Sequence, residues 1–247
     1  MLPFDPAASF GQGAAQYAQA RPRYPAELFG WLATLAPTRA LAVDVATGAG
    51  QGATALLDHF DRVVATDLSP DLLAQIPPHP RLATLAQPAD QLHIEAQADL
   101  LTVFQALHWF ADAPFWTRLA ATVRPGGAFV AVGYCWFSVS PQVDDAVART
   151  LDRLGPHWSW HNQLLFDGYR TVAIPFSEIQ APDFEIAVTW RRTDLLAYVG
   201  TWSAVARLRA LGEDPIGELD ALLADIWPAD EPRVVRMPLS VRAFRVG

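Results

Sequence analysis

From residue 41 onward the chain alternates short, nearly continuous apolar runs with stretches whose apolar residues recur every three to four positions. Residues 41–46, 62–66, 81–85, 99–104 and 128–134 predict strands, and residues 51–60, 70–75 and 112–123 predict the helices between them. Strands that are apolar throughout and linked by helices imply a parallel sheet covered on both faces. Upstream, residues 1–36 read as a lead-in that starts rich in Gly and Ala, continues as RPRYP, and ends in a helix with Leu28, Phe29, Trp31, Leu32 and Leu35 on its apolar face. Downstream the alternation loosens. A helix over 142–154 precedes a Trp-rich irregular stretch over 155–175, a strand over 183–192, helices over 194–211 and 217–226, and a closing strand over 233–246. No internal repeat or linker divides the chain, so residues 1–247 read as one domain with an aromatic-rich insertion over 136–180.

Composition narrows the function. Of the 247 residues, 51% are hydrophobic and nine are Trp, which is ample material for a core and excludes intrinsic disorder. Cys135 is the only cysteine, so neither an intrachain disulfide nor a cysteine metal cluster is available. The first residues lack the basic and apolar regions of a secretory signal. The longest apolar run, 129–139, falls short of the roughly 20 residues a bilayer needs, so a cytoplasmic protein without a membrane partner is expected. All 18 basic residues are Arg. Without lysine there is no Schiff base, no pyridoxal-phosphate chemistry and no P-loop. A net charge of −8 with no Arg cluster also argues against nucleic acid and for a small-molecule substrate.

The chemistry concentrates in LAVDVATGAGQGA, residues 41–53. A buried strand ends near Asp44, a turn carrying Gly48 and Gly50 follows, and a helix begins; glycine there lets backbone approach a ligand closely. A second strand ends at Asp67, where a carboxylate accepts hydrogen bonds from ribose hydroxyls. The pair at this spacing predicts a nucleoside cofactor. Gly48-x-Gly50-x-x-Ala53 also fits a dinucleotide fingerprint, but Asp44 at the strand tip repels a pyrophosphate and suits an ammonium or sulfonium group. The alternative role for Asp44 is to hydrogen-bond the turn's own backbone. For Asp67 the alternative is a helix cap, a role Ser69 could equally fill.

At these residues the chain resembles the class I S-adenosylmethionine (SAM)-dependent methyltransferases, and within them the small-molecule group of trans-aconitate methyltransferase-like proteins. The family's acidic-x-Gly-x-Gly-x-Gly motif falls on Asp44, Ala46, Gly48 and Gly50, with Ala46 in place of the first glycine. The resemblance implies cofactor contacts from Thr47 in the turn, from Asp67 and Leu68 at the ribose, and from Ala89-Asp90 at the adenine amino group. DLLTVFQALHWF, residues 99–110, resembles the fourth-strand motif, with Gln105-Ala106 beside the cofactor and His108-Trp109 following. RPGG, residues 124–127, resembles the turn leading into the fifth strand, and the lead-in YAQARPRYP, residues 17–25, also resembles the same group. The implied fold is α/β: a doubly wound, Rossmann-like sheet of about seven strands with helices on both faces. Its strands are mostly parallel and end in an antiparallel hairpin made from 183–192 and 233–246.

The implied activity is methyl transfer from SAM to a small organic acceptor, such as a carboxylic acid. His108 is the candidate general base, at an ordinary pKa near 6.5; its alternative role is structural, orienting the loop or the substrate. Trp109, Tyr134 and Trp136 are expected to line the acceptor pocket; Phe110, Trp158, Trp160 and Trp202 are further candidates, with two or three of the seven expected at the site. The lead-in, above all residues 10–24, is expected to form a lid in which Tyr17 closes over the sulfonium methyl and Arg21 pairs with a carboxylate. His157 and His161 are four apart, but Gly155-Pro156 precedes them and no third ligand stands at helical spacing, so no metal is expected. Two rival functions remain: an NAD-dependent oxidoreductase, disfavoured by Asp44, and a non-catalytic SAM-binding or partner-binding protein with a blocked acceptor pocket.

Overall fold

The computed structural model describes residues 20–247. The first element is helix α1, Ala26–Leu35, followed by β1, Leu41–Val45, and α2, Gln51–Leu56. Then come β2, Arg62–Asp67; α3, Pro70–Leu73; β3, Leu82–Ala86; β4, Ala98–Phe104; α4, Ala113–Thr122; and β5, Val123–Gly133. These five strands are parallel in the order β3-β2-β1-β4-β5. Successive side chains of a strand point to opposite faces. Leu100, Ala128 and Val130 therefore join α1 and α2 in one core, while Leu101, Phe129 and Ala131 join Phe115 and Leu119 of α4 in the other. Two covered faces explain why β1, β2, β4 and the second half of β5 are apolar without alternation, whereas β3, at the sheet edge, is mostly exposed.

The second half departs from the expected hairpin. The chain continues as α5, Pro141–Leu154; α6, Asn162–Phe166; β6, Ser177–Ile179; β7, Glu185–Trp190; α7, Arg192–Val199; α8, Ser203–Ala210; α9, Pro215–Leu223; β8, Arg233–Pro238; and β9, Ser240–Arg245. The predicted closing strand is thus two strands. β8 pairs antiparallel with β7 in a separate two-stranded sheet, and β9 crosses to pair antiparallel with β5. Pro238 has no N–H to extend the ladder. Beyond it the Leu239 N–H donates to Phe184 O at 2.8 Å, and the chain then passes to the main sheet. The seventh strand of that sheet is β6, antiparallel to β9, from a stretch expected to be irregular.

Three further expectations change. The helix predicted over 194–211 is two, broken at Gly200-Thr201, where the Thr201 hydroxyl donates to Tyr198 O at 2.6 Å. RPGG lies within β5 as a local bulge: Ala98 opposes Val123 but Leu100 opposes Ala128, and Gly126 has φ 79°. Finally α1 is core rather than lid, with Leu28 and Leu32 fully buried. α5, α7, α8 and α9 pack on the β7–β8 sheet in a third core holding Val143, Tyr198, Leu219, Trp227 and Met237. Among the described residues no helix is long and apolar enough to cross a membrane.

Candidate active site

Three consecutive features bend the chain at the carboxyl end of β1. Ala46, Gly48 and Gly50 take φ values of 54°, 59° and 81°. Glycine does so freely, whereas alanine in this region costs about 1–2 kcal/mol. Ala46 is therefore a strained residue where the resembled motif has glycine. Gly52 answers to a different demand. A Cβ there would stand 2.4 Å from Cδ2 of Phe104, so the glycine lets α2 lie directly on β4.

Asp44 does not face the cavity that this turn opens. It is fully buried; its Oδ2 accepts from the Thr47 hydroxyl at 2.6 Å and its Oδ1 from the Thr102 hydroxyl at 2.7 Å. Burial pushes its pKa up to about 6, against the pull of those hydroxyls and the Ala53 backbone. The expectation that Asp44 meets a cationic ligand gives way to a structural role, holding the turn to β4. Asp67 reaches forward instead. One oxygen accepts from the Gly48 N–H and the other from the Ser69 N–H, both at 2.8 Å. The Leu68 backbone bonds this carboxylate as well, and three donors on its roughly four lone-pair sites still leave capacity for a ligand. Ser69 provides the cap of α3, accepting from the Leu72 N–H at 3.3 Å.

A cleft of about 370 Å³ opens along these strand ends. It is lined by Arg21, Ala46, Thr47, Gly48, Asp67, Leu68, Ala89, Asp90, Gln105, Ala106, Trp109 and Tyr134 among the expected residues. Leu68 is half exposed, offering an apolar surface to a flat ring. Gly50 lies off the lining, its Cβ position blocked by Ile76. Tyr17, and the lid proper, lie outside the described residues; of the lead-in, Arg21, Pro22 and Tyr24 reach the cleft, Tyr24 packing on Phe104 with ring centroids 4.7 Å apart. Gly52, Phe104, Phe110 and Asp112 line it as well. Gln105, at φ 56°, clamps the sheet: its amide donates to Tyr134 O at 2.7 Å and accepts from Tyr134 N at 2.9 Å.

A second cavity of about 70 Å³ adjoins the cleft and shares Arg21, Gln105, Trp109 and Tyr134 with it. Five of the seven candidate aromatics stand here rather than two or three: Trp109, Tyr134, Trp136, Trp158 and Trp202. Trp160 is instead largely exposed, stacked on His161. Asn162, Phe166, Tyr198, Thr201 and Ser203 complete the wall and were not anticipated. For Thr201 and Ser203 the available signal was the Gly-Thr-Trp-Ser run at 200–203, a set of turn residues inside an otherwise helical pattern.

His108 lines this second cavity, but not as the expected base. It is buried, and burial, with His161 and Arg21 nearby, pulls its pKa down to about 3. A group that gives up its proton so readily is a poor acceptor of one at neutral pH. Among the described residues no three His, Cys, Asp or Glu side chains form a metal cluster.

An open α/β sheet with its cleft at the carboxyl ends of the strands, and a β2 carboxylate tied to the glycine turn after β1, is the geometry of the doubly wound class, whose ligands sit at those strand ends. The comparisons make it more particular. A methyltransferase-domain family model matches residues 43–131. A candidate type II methyltransferase of Anaeromyxobacter dehalogenans is 38% identical; the match covers 92% of this chain and 98% of that one at a TM-score of 0.84. An uncharacterised methyltransferase of Mycobacterium tuberculosis is 32% identical over 134 residues, 53% of each chain. A SAM-dependent methyltransferase of Thiobacillus denitrificans, solved with S-adenosylhomocysteine (SAH), shares the fold at 17% identity and a TM-score of 0.50, over 96% of this chain and 98% of that one. The chain belongs to the methyltransferase family. That membership overturns the oxidoreductase alternative.

Proposed function

We propose that the protein transfers the methyl group of SAM to a small organic acid held in the aromatic cavity. The observation that carries the cofactor is the charge of the cleft. Its lining includes three carboxylates, Asp67, Asp90 and Asp112, against one guanidinium, Arg21. Such a lining suits a ligand bearing an ammonium and a sulfonium and opposes a pyrophosphate. The Gly48 turn fits a close ligand, because a Cβ there would meet nothing within 4 Å. In this reading Asp67 holds the ribose hydroxyls, Asp90 the adenine amino group, and Leu68 covers the adenine ring. Ala46, Thr47 and Gly48 stand against the methionine portion, beside Gln105 and Ala106.

When bound, SAM supplies an activated methyl on sulfur, ready for in-line attack. The protein's part is then alignment and exclusion of water. The aromatic wall keeps the acceptor dry, and Arg21, shared by both cavities, pairs with a carboxylate of the acceptor or of the cofactor. It is the one cation in the second cavity's described lining, and residues 1–19 contain no Arg, Lys or His to add another. A carboxylate acceptor is already a nucleophile and needs no general base, which accords with the state of His108. Turnover should consequently show no rising limb near pH 6.5. The open second cavity, rather than a blocked one, favours catalysis over cofactor binding alone.

Thermal unfolding tests the reading. SAH at about 100 times its dissociation constant should stabilise the fold by roughly 2.7 kcal/mol, while NADH at equal concentration leaves it unchanged. No shift with SAH, or a larger one with NADH, refutes the assignment.

A further inference from the structure

Tyr169 is fully buried, yet its backbone takes φ 62°, directly after Gly168 at φ 69°. A bulky residue in the left-handed region is an outlier that its surroundings must hold in place. Here the Tyr169 N–H donates to Leu164 O at 2.7 Å, and the Arg242 guanidinium donates to Tyr169 O. Gly133 makes room for the ring, since a Cβ there would stand 3.0 Å from Tyr169 Cε2. The result of this strained placement is a phenol behind His108. The Tyr169 hydroxyl lies 3.3 Å from His108 Nδ1, and the Leu107 backbone also bonds it.

A buried hydroxyl hydrogen needs an acceptor. Nδ1 is the acceptor in reach, so the phenol is the donor and the imidazole Nδ1 is bare. A neutral imidazole with a bare Nδ1 carries its proton on Nε2. Tyr169 is outside the second cavity's lining and His108 is inside it. The ring therefore turns Nδ1 away from the cavity and has Nε2–H left to offer it. A second proton is opposed electrostatically by Arg21 and His161; the other titratable neighbours, Tyr169 against the ring and Cys135, Tyr134 and Tyr198 in the cavity lining, are phenols and a thiol, and the described lining includes no carboxylate to balance an imidazolium.

We propose that Tyr169 is a positioning residue for His108, fixing its proton on Nε2 so that His108 donates a hydrogen bond to an oxygen of the acceptor. The identity of that acceptor rests on the methyltransferase reading; the tautomer does not. Nitrogen-15 NMR of histidine-labelled full-length protein reads it directly, with the His108 signals assigned by their loss in His108→Gln. The wild type should show the Nε2–H pattern from pH 5 to 9 with no protonation midpoint. Tyr169→Phe should move the Nδ1 signal toward the averaged position of an unfixed ring. Benzoate, a planar monoanion suited to Arg21 and the aromatic wall, should shift the Nε2–H proton of the wild type. An Nδ1–H tautomer or an imidazolium in that range overturns the proposal, as does an Nδ1 signal that Tyr169→Phe leaves in place. An Nε2–H proton unmoved by benzoate overturns the donor role. The wild-type spectrum decides even if Tyr169→Phe does not fold, and it requires no methyl transfer, so a failed SAH test leaves it readable.

Discussion

Replacing Asp44 with Asn should change how stability depends on pH more than it changes stability itself. Burial raises the Asp44 carboxyl from 3.8 to about 6, and the nearby Asp67 adds to the rise. Between those two values the native state keeps a proton that the unfolded chain has released. The stabilisation this provides is complete below the unfolded pKa and is lost as pH rises through 6. A gap of about two pKa units, at 1.36 kcal/mol each, makes the loss on the order of 3 kcal/mol. Asn does not titrate, and whatever it does to the Thr47 and Thr102 hydrogen bonds is the same at every pH. The unfolding free energy of Asp44→Asn minus that of the wild type should therefore climb by about 2–3 kcal/mol between pH 4 and pH 7.5. Urea unfolding followed by tryptophan fluorescence, at matched ionic strength, measures both curves. Parallel curves, or a difference that shrinks as pH rises, would refute an Asp44 whose proton is held by burial.

Gly52→Ala should lose about 1–2 kcal/mol: overpacking against Phe104 outweighs the helix-propensity gain of alanine, and adding Phe104→Leu should recover much of it. Equal melting of Gly52→Ala and wild type would contradict the close approach of α2 to β4. Asp67→Asn removes the charge that strengthens its hydrogen bonds and should weaken SAH roughly tenfold or more by titration calorimetry; unchanged affinity would place the ribose elsewhere.

The parallel half of the fold was legible because its physics is local. Strands buried on both faces must be apolar throughout, and helices must return the chain between them, so 41–134 could be read from periodicity. The pairing of 183–192 with the final segment was also legible, but its place in the molecule was not. The division at Pro238 does leave a trace: β8 buries alternate residues, Val235 and Met237, whereas β9 buries the consecutive pair Ala243 and Phe244, one on each face of the main sheet. That contrast spans few residues and acquires meaning only once a second, one-sided sheet is known to exist. β6, three residues long, had no period to detect.

The site divides in the same way, and for a physical reason. Residues set into the cleft by backbone geometry, the Gly48 turn and the strand ends at Asp67 and Gln105, are tied to the sheet, so their spacing in sequence survives as spacing in space. The second cavity is assembled differently. Trp109 follows β4, Trp136 follows β5, Asn162 opens α6, and Tyr198 and Trp202 flank the break between α7 and α8. No periodicity connects them. Their convergence depends on the third core, which docks α5, α7 and α8 over the carboxyl end of β5. The role of His108 depends on long-range packing too, here in the second core, which holds Tyr169. His108 in sequence is a histidine after a strand, with a pKa near neutrality and the profile of a base. Tyr169, 61 residues later, is what turns Nδ1 inward, and burial among aromatic rings beside Arg21 is what keeps the ring neutral. A base and a fixed donor are the same residue in the sequence; long-range packing chooses between them.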